Sequence, residues 1–127
     1  MMTIAEKKRR IIESVVLLAS DVDRQQAALP DWVARADEIA LIFDECYQFV
    51  RELGQQEQLT VKEIEALQSL DQKLASMSGP SQAALWTEEA LATDANWQWI
   101  RQRAQEALEL LGAELHAPKL DWVTFVR

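Results

Sequence analysis

Glycine and proline are scarce, at three each in 127 residues, so the chain lacks the punctuation that a fold of many short strands requires. The single cysteine, Cys46, has no partner for an intramolecular disulfide, and it falls on an apolar helical face where a buried structural thiol is expected. The single histidine, His116, cannot build a two- or three-histidine metal site, and no Glu-x-x-His pair is present to bridge two metal ions. No serine stands in a glycine-flanked elbow. Gly54, Gly79 and Gly112 each follow a helical pattern rather than forming a phosphate loop. These gaps remove the commonest catalytic inventories and lead to the expectation of a non-enzyme with no cofactor and no metal. No apolar run reaches the roughly 18 residues of a membrane span. The apolar run beside Lys7–Arg10 is short and broken by charge, so neither a signal segment nor a membrane anchor is expected, and the location follows as cytoplasmic.

What is present is a globular mixture, 49% apolar and 27% charged, of a length that makes residues 1–127 a single domain. The charge is uneven. Residues 1–30 carry five basic groups against four acidic ones, while the rest of the chain holds eight against seventeen. A body with such an acidic excess repels phosphates, which argues against nucleic acid despite the Lys-Lys-Arg-Arg run. It attracts a basic protein surface instead. Acid that merely keeps the protein in solution is the plainer alternative.

Helical periodicity organises the chain. Trp32, Ala36, Ile39, Phe43, Cys46, Val50 and Leu53 alternate in steps of four and three, with Ala40 and Tyr47 on one flank and Ile42 and Phe49 on the other. This wide apolar sector predicts a central helix over residues 31–53, capped by Asp31 and ended by Gly54. A first helix over residues 4–28 is expected from the Thr3/Glu6 capping box and the row Ile4, Ile11, Val15, Leu18, Val22, Leu29, with Pro30 stopping it. Thr60 and Glu63 form a second capping box, with Leu59 and Ile64 as its hydrophobic staple, ahead of a helix over residues 61–77 that Gly79-Pro80 terminates. The last long helix is expected over residues 94–111, with Trp97, Ile100, Ala104, Leu108 and Leu111 inward. Residues 81–92 make a short helical insert, split where Thr87 offers a cap. The prediction is therefore an all-α, antiparallel four-helix bundle with an apolar C-terminal tail over residues 118–127.

Trp99 does not fit its helix's inner row. Taking Trp97 as zero, it lies about 200° round, where Arg103 and Leu110 share its sector. Trp, Arg and Leu on an outer face suit a partner-binding anchor, and Trp122 and Phe125 of the tail either join that surface or fold across it. The candidate partner-binding residues are thus Trp99, Arg103, Leu110, Trp122 and Phe125. The function expected is an acidic helical protein that binds a basic protein partner, with a toxin-neutralising, immunity- or antitoxin-like role as its specific form. A structural or homo-oligomeric subunit, burying Val16, Leu17, Leu41, Trp99 and Leu110 against copies of itself, is the alternative. A metal-dependent helical hydrolase using the acidic stripes Asp37/Asp44 and Glu38/Glu45 ranks last, because adjacent acids point about 100° apart on a helix.

Overall fold

A computed structural model describes residues 1–126; Arg127, the end of the 118–127 tail, lies outside the described residues. Among the described residues the chain is all-helical with no strand. Its α-helices are α1 (Ile4–Ala19), α2 (Val22–Ala28), α3 (Arg35–Tyr47), α4 (Val50–Gln55), α5 (Val61–Ser76), α6 (Glu88–Thr93) and α7 (Ala95–Leu110), with a 3₁₀ segment at Pro80–Trp86. No helix is long and apolar enough to cross a membrane.

Two of the four expected rods are broken, and each break has a local cause. The helix expected over 4–28 divides at Ser20, whose hydroxyl donates to Val16 O at 2.7 Å while Asp21 caps α2 by accepting from Arg24 N–H at 2.9 Å. The carbonyls freed at the end of α1 are satisfied by α7: Arg101 donates to Ser20 O at 2.9 Å and Gln105 to Ala19 O at 3.1 Å. Gln25, buried in α2, donates to Leu17 O at 3.0 Å. The rod expected over 31–53 begins only at Arg35, behind Ala34, which makes no side-chain cap; Asp31 and Trp32 lie in a turn. Trp32 is accordingly 39% exposed rather than part of the inner row. The same rod breaks again at Gln48-Phe49 before α4.

Gly54 does not end that rod in a left-handed conformation. It lies inside α4, where a Cβ would stand 3.0 Å from Ile64 Cδ1, so close packing on α5 is what calls for glycine. The left-handed position belongs to Glu57 (φ 57°), and Gln58 N–H bonds back to Leu53 O at 2.8 Å. The other two long helices keep their expected limits to within a residue at each end. The Thr60/Glu63 box is formed in both directions, at 2.7 and 3.1 Å. At the first helix only half of the box exists: Thr3 accepts from Glu6 N–H, but the Glu6 carboxylate turns to Arg9 and Arg10.

The spine of the core is α1, not the 31–53 segment. From Glu13 to Ala19 every residue is buried, including Val16 and Leu17, which the oligomer alternative had placed outside. A helix that is apolar all round needs neighbours all round. Here α1 packs on α7 along one side and α3 along the other, with α2 and α4 adding contacts, while α5 packs chiefly on α7. Trp97 is the largest fully buried side chain. Its indole N–H donates to Leu85 O at 2.7 Å, and its ring meets Trp86 edge-on at 5.4 Å between centroids.

The tail folds back onto this core: Leu120, Trp122, Val123 and Phe125 are half-buried against it. Its fastening is polar. Glu13, buried on α1, accepts from His116 Nε2 at 2.9 Å and from Lys119 N–H at 2.7 Å, while His116 Nδ1 donates to Glu114 O at 2.8 Å. An acceptor faces each ring nitrogen, an arrangement that favours the doubly protonated imidazole, and the Glu13 bond raises its pKa above the ordinary 6.5.

Candidate functional site

The five candidate residues divide between two places. On α7, Trp99 is half-buried and clasped by two cations, with Arg103 over its ring at 4.7 Å and Lys73 of α5 at 5.4 Å. Arg103 also reaches Glu106 at 3.3 Å, and Leu110, one turn further on, is 48% exposed. Trp122 and Phe125 sit elsewhere. Trp122 lies under Arg9 and Arg10, at 5.6 and 5.4 Å from its ring, and the tail closes a cavity of about 340 Å³ with Val33, Glu38, Leu41, Ile42 and Glu45. Trp99 is therefore covered by Lys73 and Arg103 rather than by the tail, and the tail's aromatic residues rest on α1 and α3.

This arrangement accounts for the basic run near the start of the chain. Lys7 pairs with Glu52 of α4 at 2.6 Å, Arg9 with Glu6 and with Asp121 of the tail at 2.7 Å, and Arg10 with Glu6 at 2.9 Å. Glu6, held between two guanidiniums, has its carboxyl lowered to about 2. Lys7, Arg9 and Arg10 thus fasten α4 and the tail internally. Arg35 of α3 likewise faces Glu88 at 3.4 Å.

A larger opening lies between α3 and α5, which pack mainly on other partners. It has a volume of about 750 Å³. One wall is the stripe Asp37, Ala40, Leu41, Asp44 of α3, with the i, i+3, i+4, i+7 spacing of one helical face; the other is Asp71, Leu74 and Ala75 of α5, followed by Ser78 just beyond its end. Phe43 lies deep between them, and Gly79, Ala83 and Trp86 close one end. Among the described residues no lysine or arginine forms a salt bridge with Asp37, Asp44 or Asp71 (the remaining acidic stripe, Glu38/Glu45, faces the tail). Burial raises the Asp71 carboxyl, and the charge of Asp44 across the cleft raises it further. The α3 stripe is visible in the sequence as a seven-residue repeat of aspartate. Asp71 was missed, because nothing local says that α5 turns the same kind of face toward α3.

Among the described residues no group of three or more His, Cys, Asp or Glu side chains is arranged to hold a metal ion, so neither pair of acidic stripes assembles into a metal centre. Cys46 is buried beside Ser14, and desolvation pushes its thiol up to about 11, which keeps it in the unreactive protonated form. In comparisons with known proteins the chain matches no family model, no curated protein and no solved structure.

Proposed function

We propose that this chain is a non-enzymatic acidic helical protein that binds a basic protein, with toxin neutralisation of the immunity or antitoxin kind as its specific role. In this reading α1, α3, α5 and α7 act as an antiparallel four-helix bundle that holds the recognition surface rigid. The observation that carries it is how the charges are partnered. Lys7, Arg9, Arg10 and Arg35 are engaged by the chain's own carboxylates, while Asp37, Asp44 and Asp71 line an open cleft and, among the described residues, form no salt bridge. With a net charge of −8, such a surface speeds the approach of a basic partner and repels an acidic one.

The test is capture on the immobilised chain, followed by stopped-flow association of the captured protein over a range of ionic strength. A basic partner whose association slows steeply with salt supports the reading. A rate unmoved by salt, or capture of no basic protein, rejects it. Trp99→Ala with Arg103→Ala then asks whether the α7 face anchors the complex, and unchanged dissociation removes it from the interface. A self-associating subunit is the second reading, favoured by Leu41 and Leu110, each 48% exposed on different helices. Light scattering that finds a clean monomer at high concentration rejects it.

A further inference from the structure

We propose that the cleft between α3 and α5 seats an amphipathic, basic helix of the partner, its apolar face on Ala40, Leu41, Ala75 and Trp86 and its Lys or Arg side chains on Asp37, Asp44 and Asp71. The inference rests on the reading of this chain as a binder of basic proteins, and adds the place and the shape of what is bound.

Three features of the cleft select this occupant. Its α3 wall runs from Asp37 to Asp44, roughly 10 Å of helix, and its α5 wall carries Asp71, Leu74 and Ala75. A trough between two helices accepts the face of a third. The side chains at its middle, Ala40 and Ala75, are small, so a third helix can approach closely there, while Trp86 stops the trough at one end.

The chemistry is mixed in the way such a seat requires. Leu41 is 48% exposed, an apolar side chain left in water beside an open cleft. Asp37 and Asp44 are exposed one helical repeat apart on one wall, and Asp71 stands on the other. Asp71 is already disfavoured as a carboxylate by burial and by Asp44, and a cation between the walls relieves that repulsion. A second copy of this chain is a poor occupant, since it brings the same charge of −8 to an acidic seat. An anionic ligand is excluded on the same ground.

The probe is a short synthetic leucine–lysine peptide with leucine at i, i+3, i+4 and i+7, titrated into the full chain and followed by amide chemical shifts. Two control peptides accompany it: a scrambled one of the same composition with no apolar face, and one with glutamate in place of lysine. The expected result is saturable binding of the first peptide alone, with the largest shifts at Ala40, Leu41, Ala75 and Ala83. Each exposed ion pair contributes roughly two- to fivefold, so D37N/D44N/D71N together weaken binding about tenfold or more. Asp37 and Asp44 are exposed and Asp71 is half-buried, and circular dichroism checks that the fold is kept in the triple variant. Ala75→Trp, at an exposed position of α5, fills the trough and abolishes binding by a second route.

Equal binding of the scrambled peptide overturns the proposal, as do shifts centred on Trp99 or indifference to both sets of variants. If a captured basic partner still binds in a salt-dependent way to the cleft variants with unchanged affinity, the seat is wrong and the broader reading stands. If no basic protein associates with the unaltered chain, the broader reading fails with it.

Discussion

Replacing His116 by alanine should release the C-terminal tail, and the cost should depend on pH in a direction the structure determines. In the folded chain the imidazolium lies 2.9 Å from both oxygens of the Glu13 carboxylate. That bond is the largest cause of its raised pKa; partial burial opposes it, and the Glu114 carbonyl adds to it. A hydrogen bond between charged groups contributes about 1.5–3 kcal/mol. The His116 side chain is 39% exposed, so solvent screening reduces this to about 1 kcal/mol. For a chain of this size that is a shift of roughly 4 °C in midpoint. Because the folded pKa is raised, the contribution is whole below the ordinary value of 6.5 and is lost as pH rises through the folded value. Thermal unfolding of the wild type and His116→Ala from pH 5 to 9 should therefore show two curves that are separated in acid and converge in base. Amide exchange at Lys119, whose N–H also bonds Glu13, should rise over the same range in the wild type. In a Glu13→Gln background the pH-dependent part of the difference should vanish. A gap that is constant from pH 5 to 9, or that widens in base, would refute the reasoning.

Trp97→Phe should cost about 1–2 kcal/mol in urea unfolding, since it strands Leu85 O and loses the edge contact with Trp86, while Trp97→Ala should cost about 3–5 kcal/mol. Arg101→Met keeps the stem but leaves Ser20 O and Leu91 O without their donor, and a loss of about 2 kcal/mol in the same assay is expected. A change below about 0.5 kcal/mol would mean that the α1–α2 break does not depend on α7. Cys46, with its thiol pushed up to about 11, should resist a disulfide reagent at neutral pH until denaturant is added. Rapid labelling of the native chain would contradict its burial.

What the sequence determined by itself was whatever is decided within about four residues. Helical periodicity, the Thr60/Glu63 box, the Thr87 cap and the stop at Gly79-Pro80 all belong to this class, because each depends on bonds between near neighbours. The Ser20-Asp21 break was legible in principle, as two capping residues in succession, but the apolar row continues across it and hides it. Tertiary structure decided the rest. The break lasts because Arg101 and Gln105, about eighty residues away, accept the role that another turn of helix would otherwise fill. Periodicity shows that α1 and α3 each have a wide apolar face, yet only packing shows that α1 is enclosed from Glu13 to Ala19 while α3 leaves Leu41 to water. Glu13 and His116 are 103 residues apart, and nothing around either one forecasts the other. The acidic cleft follows the same rule: its α3 wall can be read locally, but its α5 wall acquires meaning only when the chain folds Asp71 against Asp44.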